Sequence, residues 1–413
     1  MLKNKLILQE ARQLRDWLVA IRRKIHQHPE TAFQEKNTSE LICSELSRMN
    51  IPFIRGIGST GVMAHIGDPS MPHLPVVALR ADIDALPVQE ETGLSFSSKI
   101  PGVMHACGHD GHTAMLLGAA RILSGMDIAE TGCVRLLFQP AEEGKGGARS
   151  MIKDGCLKNV GLIFGGHIDT HFPVGQIAVQ EGLICAYADG FHMEILGKGG
   201  HAARPHEACD ALVAACHFVT GVQSLLTRKI NPLQPSVISI GQMLAGTTHN
   251  AIAEKAVLKG TVRTTDRETR SRVFLELEQL RKGIETIFGV QCNLKFNNAY
   301  PPVINTPEAT QVARLAAKAV TGPEAVIPYP VPSLGGEDFS FYLEHVPGCF
   351  VRFGAAKDQS ENPPAHSSRF DFNEDVLVTG TSFFTACALN ALEYLQKKHG
   401  NAYNNGNGNN ARG

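Results

Sequence analysis

The stretch Pro101-Gly-Val-Met-His-Ala-Cys-Gly-His-Asp-Gly-His-Thr113 runs directly into an apolar segment, Ala114-Met-Leu-Leu-Gly-Ala-Ala-Arg-Ile-Leu123. His105, Cys107, His109, Asp110 and His112 fall within eight residues. Imidazole, thiolate and carboxylate together suit a borderline-soft divalent ion such as zinc, cobalt or manganese. In an extended segment Cys107 and His109 point to the same side, because side chains alternate with period two. One face of a tight turn then supplies two ligands. For any single histidine here the alternative is a polar loop with Asp110 capping the next helix; the density of the cluster favours metal.

Around this stretch the chain repeats one grammar of apolar strand, polar loop and helix. Val76-Val-Ala-Leu79 leads into Arg80-Ala-Asp82-Ile-Asp84-Ala-Leu-Pro87, ahead of a helix over 110–124. Gly132-Cys-Val-Arg-Leu-Leu-Phe138 ends in Gln139-Pro-Ala-Glu142-Glu143-Gly144, before a short helix over 148–154. Leu162-Ile-Phe164 leads to Gly165-Gly-His167. Such alternation implies a mostly parallel sheet covered by helices, with ligands gathered beyond the carboxyl ends of its strands. Asp82, Glu142, Glu143 and His167 each read as lying just past a strand, so one crevice can collect them. Upstream, apolar spacing predicts an amphipathic helix over 8–28 and another over 38–49, then a strand over 61–66.

Near residue 186 the grammar changes. Strands over 189–196, 236–241, 256–263 and 290–296, with helices over 208–226 and 267–288, give the split β-α-β order of a ferredoxin-like α+β domain. The expected organisation is α/β with two domains: a first domain over 1–186 and 302–400, an inserted domain over 187–301, and a disordered tail over 401–413.

The chain has 413 residues, 43% hydrophobic and 19% charged, with a formal net charge of −1. Nothing in that balance points to nucleic acid or an anionic membrane. The ten cysteines form no C-x-x-C pair or compact framework, which reads as reduced thiols. No apolar run approaches ~18 residues, and the N-terminal one is short for a signal peptide. The expectation is a soluble, cytoplasmic protein.

Cys107, His109, Glu143, His167 and His366 are ligand-type residues in expected loops. A catalytic metal needs several protein ligands, room for water and a base. Of the adjacent pair Glu142-Glu143, one carboxylate can bind metal while the other acts as base, if the backbone turns them to different sides.

Six motifs in order are Arg80-Ala-Asp-Ile-Asp-Ala-Leu-Pro87, His105-Ala-Cys-Gly-His-Asp-Gly-His112, Gln139-Pro-Ala-Glu-Glu-Gly144, Gly199-Gly-His-Ala-Ala-Arg-Pro-His206, Gly260-Thr-Val-Arg263 and Gly335-Gly-Glu-Asp-Phe339. Together they make the chain, from about residue 12 to 396, resemble the amidohydrolase branch of the aminoacylase and carboxypeptidase metallopeptidases. That branch includes hippurate hydrolases, N-acetyl-diaminopimelate deacetylases and plant auxin-conjugate hydrolases.

The resemblance implies an α/β/α metallopeptidase-like catalytic domain and a centre of two divalent ions held by Cys107, His109, Glu143, His167 and His366. It gives Glu142 the role of general base, and His201 of the inserted domain a role at the scissile carbonyl, in some relatives across a dimer. His171 lies close enough in sequence to compete with His167. Asn250 and Arg263 are candidates for the substrate carboxylate, although Arg263 equally suits a structural ion pair. His206 suits binding or helix capping. The implied reaction is hydrolysis of an N-acyl amino acid by a zinc, cobalt or manganese enzyme that pairs through its inserted domain; a carboxypeptidase or dipeptidase, or an inactive metal-binding scaffold, are the alternatives.

Overall fold

The first two helices, α1 (Leu2–Gln13) and α2 (Arg15–His26), occupy the region where periodicity predicts one. Helical hydrogen bonding passes through the break, Leu14 N–H to Glu10 O at 3.1 Å and Leu18 N–H to Leu14 O at 2.9 Å. The stretch is therefore one amphipathic run with an interrupted turn. The computed structural model describes residues 2–71, 73–357 and 362–407.

In chain order there follow α3 (Lys36–Arg48), β1 (Phe53–Ile57), β2 (Gly61–Ile66), β3 (Val76–Asp82), α4 (His109–Ser124), β4 (Cys133–Gln139), α5 (Glu142–Lys145), α6 (Gly147–Lys153), β5 (Val160–Pro173), β6 (Ile177–Ala178) and β7 (Gly182–Cys185). Next are β8 (Tyr187–Leu196), β9 (Gly200–His201), α7 (Ala211–Lys229), β10 (Ser236–Ala245), β11 (Ala251–Ile252), β12 (Lys255–Thr264), α8 (Arg267–Phe288), β13 (Gln291–Tyr300) and β14 (Val303–Asn305). The chain closes with α9 (Pro307–Thr321), β15 (Val326–Ile327), α10 (Ser340–Leu343), β16 (Gly348–Ala356) and α11 (Val376–Asn407).

Two compact units result. The first comprises Met1–Ile184, Ile304–Val331 and Asp338–Gly413, and the second Cys185–Val303 with Pro332–Glu337. The sequence reading leaves Pro332–Glu337 in the resumed first domain. Backbone pairing draws them to the second unit: Ala186 N–H donates to Ser333 O at 2.9 Å, and Cys185 bridges Ser333 in parallel.

The first unit is built on an eight-stranded sheet of order β1-β2-β4-β3-β5-β16-β6-β15. Its centre, β4-β3-β5-β16, is parallel, and β2 joins β4 antiparallel. Edge strand β1 was not foreseen because Phe53-Ile-Arg-Gly-Ile57 alternates only weakly and exposes its middle residues. The chain runs from β3 to β4 on one side and then crosses to β5 on the other, so strand order reverses beside β3. β3 and β5 are paired only as far as Leu79 and Phe164. Beyond that point they part, which opens the sheet at its carboxyl end.

Helix α4 is buried along nearly its whole length, with the apolar faces of α2 and α11 packed against it and α9 joining the same core. The segment Val376–Lys398 of α11 is long and apolar enough to cross a membrane, with mean hydropathy 1.3, and 83% of it is buried within the protein. Counting uninterrupted apolar runs missed it because Thr379, Thr381, Ser382 and Thr385 break the run while remaining buried, Ser382 and Thr385 satisfying their hydroxyls on the previous turn. The helix continues to Asn407, into the stretch expected to be a disordered tail; residues 408–413 lie outside the described set.

The second unit is an antiparallel sheet of order β10-β12-β8-β13 with α7 and α8 packed on one face. Taken in chain order the strands stand 2-3-1-4, the ferredoxin-like arrangement expected from the sequence.

Candidate metal centre

Cys107 and His109 meet through Gly108, whose left-handed φ of 90° turns the chain into α4. The expected extended segment is absent; the turn brings the two side chains together, and glycine alone enters that conformation without steric cost. Cys107 Sγ lies 3.3 Å from His167 Nε2. The donor atoms of Cys107, His109 and His167 all fall within 4.8 Å of one another, as do those of Cys107, Glu143 and His366, and those of His109, Glu142 and Glu143. Cys107, His109 and Glu143 each belong to more than one of these sets, so the donors adjoin one another.

His167 does not lie past its strand. It sits within β5, which extends to Pro173 because β16 pairs along it from Gly348↔Ile163 to Ala356↔Pro173. The divergence from β3 leaves His167 facing the crevice, where its ring lies edge-on to His112 at 4.7 Å between centroids. His171, the competing candidate, points to solvent with 79% of its side chain exposed and pairs with Asp169. Asp82 is the last residue of β3, held within the sheet.

The segment carrying Glu142 and Glu143 is a tight, irregular turn. Ala141 is left-handed at φ 53°, Glu143 leaves helical geometry at ψ 84°, and Gly144 and Gly146 have φ 79° and 68°. A Cβ on Gly147 would stand 1.6 Å from the Pro140 carbonyl oxygen, so only glycine closes the turn. This irregularity sends the two adjacent carboxylates in different directions. Glu142 Oε1 accepts the Asp338 N–H at 3.3 Å, while Glu143 faces His366, whose Nε2 is 3.1 Å from Glu143 Oε1. His366 is itself left-handed at φ 71° and is fixed by donation of its N–H to Ala106 O at 2.7 Å. A non-glycine residue held at positive φ beside ligand-type groups marks a place where tertiary contacts override local preference.

Behind the donors stands a set of orienting residues that the sequence reading did not assign. His109 directs Nδ1 to Asp84, 3.2 Å from Oδ1 and 3.0 Å from the carbonyl oxygen. His112 directs Nδ1 to Asp82 at 2.5 Å and accepts the Ile168 N–H on Nε2 at 2.9 Å. Both its nitrogens are engaged, so His112 positions rather than ligates. Arg80 joins Asp82 to Asp338 at 2.6 and 2.8 Å. The Arg80–Pro87 motif held the signal: a buried Arg and two Asp ending a strand demand partners.

His109 Nε2 is buried without a hydrogen bond. An orphaned imidazole nitrogen whose other nitrogen is anchored to a carboxylate is the arrangement of a metal-ligating histidine. Burial pushes the Cys107 thiol up to about 12, and holds His167 well below its ordinary value, helped by His112 and Arg352. Burial opposes charge on His109, but Asp82 and Cys107 outweigh it and raise the ring well above its usual range. Neutral His167 and carboxylate Glu143, kept low against its burial by His366 and His109, are ligand-competent. A divalent cation would also deprotonate the thiol. Thiolate, imidazole and carboxylate donors in this arrangement fit two borderline-soft divalent ions.

The remaining candidates belong to the second unit. His201 lies in β9 opposite Ala251 of β11, and its Nδ1 accepts the Ala203 N–H at 3.0 Å. Asn250 is its near neighbour there: Ala202 N–H donates to Asn250 O, and Thr248 donates to the Asn250 side chain at 3.1 Å. Arg263, half-buried in β12, lies apart from them in the larger sheet, beside Gly336, and burial lowers its pKa. His206 is exposed in the one-turn helix Pro205–Glu207, within 3.8 Å of Glu207.

Residues 78–390 match the model of peptidase family M20/M25/M40. The chain is 39% identical to the N-acetyl-L-cysteine deacetylase of Bacillus subtilis, over 91% of this chain and 88% of that one. It is 40% identical to thermostable carboxypeptidase 1 of Saccharolobus solfataricus, over 94% and 98% of the two chains. Among solved structures it resembles a dinuclear metal binding peptidase of the M20 family from Bacillus subtilis, with TM-score 0.78 and 36% identity over 92% of this chain and 99% of that one.

Proposed function

Because this chain belongs to peptidase family M20/M25/M40, we propose that it hydrolyses the amide bond of N-acyl amino acids, releasing a carboxylate and a free amino acid. One observation carries the reading: Glu142 stands in a donor group with His109 and Glu143, yet the irregular turn directs its carboxylate away from the Glu143–His366 pair. A base and its neighbouring ligands are thereby separated within one dipeptide.

Cys107, His109, Glu143, His167 and His366 would hold two divalent ions, zinc, cobalt or manganese, which supply Lewis acidity and bring the pKa of water toward neutrality. Glu142 takes the proton of the attacking water and delivers it to the departing amine. Its Oε1 already accepts the Asp338 N–H, which fixes the carboxylate for both transfers. We assign His201 to hydrogen bonding at the developing oxyanion, and Asn250 or Arg263, which lie apart, to the substrate carboxylate. Self-association through the inserted unit is supported by the apolar edge strand β10, where Met243 and Leu244 are 42% and 61% exposed. Ten free cysteines support a reducing compartment, the cytoplasm.

The similarity to a carboxypeptidase favours a second reading, cleavage of small peptides by the same residues. The deciding experiment is release of amino acid from N-acetyl, N-benzoyl and indole-acetyl amino acids beside dipeptides, with chelated enzyme and with enzyme reloaded with each metal. Metal-dependent cleavage of an acyl class supports the amidohydrolase; cleavage of dipeptides alone replaces it with the peptidase.

A further inference from the structure

Glu35 is fully buried, in the connection between α2 and α3, and it is not part of any donor group. Its Oε1 accepts the Ala141 N–H at 2.9 Å, and its Oε2 accepts the Thr60 hydroxyl at 2.5 Å. Thr60 is in turn held to α3, its carbonyl accepting the Ser39 hydroxyl. A second tie runs between the same two segments, from Lys145 Nζ to Ala32 O at 3.2 Å.

Ala141 is the residue where strain enters the base-bearing turn. A β-carbon in the left-handed region is strained, and surrounding contacts must outweigh that strain. Ala141 is itself fully buried, so loss of the carboxylate takes away the protein acceptor of a buried N–H. The other contact of its peptide group, Gly147 N–H to Ala141 O at 3.0 Å, ties the turn to itself and not to the body of the protein. Glu35 is thus an anchor outside the turn for the residue immediately before Glu142.

We propose that Glu35 is a positioning residue: by clamping the left-handed Ala141 to the α2–α3 connection and to Thr60, it sets the direction in which Glu142 presents its carboxylate. The proposal rests on the assignment of Glu142 as general base. The hydrogen bonds of the Glu35 carboxylate go to Ala141 N–H and Thr60 and not to a ligand-type side chain. Its effect is therefore on the efficiency of proton transfer and not on substrate affinity or metal content. A carbonyl acceptor alone should suffice for the Ala141 N–H, which makes glutamine a rescuing substitution and alanine a disruptive one.

The test uses the full chain reloaded with cobalt. Glu35→Ala should lower kcat by ~10–100-fold, the scale of a misplacement near 1 Å, with KM and metal stoichiometry unchanged. Glu35→Gln should return kcat to within about threefold of the parent, since it keeps the acceptor. Thr60→Val, which removes only the second support, should fall between them. Amide hydrogen exchange at Ala141 should accelerate in Glu35→Ala and not in Glu35→Gln. Equal losses in the alanine and glutamine variants, loss of metal in step with kcat, or unchanged kcat and exchange in Glu35→Ala would each overturn the proposal. If the parent hydrolyses no amide, the functional reading fails, and exchange at Ala141 still decides whether Glu35 holds the turn.

Discussion

His109 hands its Nδ1 proton to Asp84, and the other oxygen of that carboxylate accepts the Glu143 N–H at 3.0 Å. One side chain therefore fixes the ring orientation of one candidate ligand and the backbone of another. Asp84→Ala should weaken metal binding ~10–100-fold, the usual effect of losing an orienting partner. Competition with a chromogenic chelator measures it, and unchanged affinity would remove Asp84 from the centre. Asp84→Asn should fall between, because an amide oxygen can still accept from His109.

Glu142→Gln keeps shape and removes the proton acceptor. Turnover should fall ~10²–10⁴-fold with metal stoichiometry unchanged. Elemental analysis beside kinetics separates the roles, since parallel loss of metal would make Glu142 a ligand.

His26 lies behind the centre, its Nδ1 2.8 Å from Asp110 and its Nε2 3.4 Å from Glu90. Burial works against its charge, yet the hydrogen bonds it donates to Asp110 and Glu90 prevail and raise the pKa to about 9. A raised pKa means the folded state binds the proton more tightly than the unfolded chain. The resulting stability is fully present below about pH 6.5 and fades as pH rises through about 9. In denaturant titrations, the advantage of the parent over His26→Phe should therefore shrink across that interval, from no more than about 3 kcal/mol. An advantage that grew with pH would contradict the assignment. Glu90 behaves oppositely. Its burial is outweighed by His26 and Thr92, which hold it at about 2; its contribution persists above the ordinary carboxylate range and fails only in strong acid.

Gly147→Ala should displace the Pro140–Glu143 segment, because the added carbon meets backbone that cannot rotate away. Overpacking of this kind costs ~1–3 kcal/mol, and activity should fall further than stability. A variant of normal activity would show the turn to be softer than its contacts indicate.

Much of this was legible in the sequence. Buried parallel strands announce themselves as short apolar runs, and β3, β4 and the start of β5 were read that way. The ferredoxin-like unit was equally clear, with α8 matching its expected span, because β alternation and helical periodicity are properties of local burial. The ligand-type residues were visible as chemistry concentrated in expected loops, although His167 lies within β5. Asp84 was passed over as function because a residue that orients another looks, in sequence, like any polar loop residue, and His112 was read only as part of the metal-favouring cluster.

From residue order alone one reads which donors exist, where the longer strands lie and which glycines can turn backward. Residue order names His167 with His171 as a competitor; both lie within β5, and packing separates them, bringing His167 Nε2 to 3.3 Å from Cys107 Sγ and leaving His171 in solvent. It could not show that Glu142 and Glu143 diverge, that His366 is brought to Glu143, or that Glu35 anchors Ala141. Periodicity encodes which face of an element is buried. The direction of a ring or carboxylate is set by hydrogen bonds to residues far away in the chain, and those partners meet only when the elements pack.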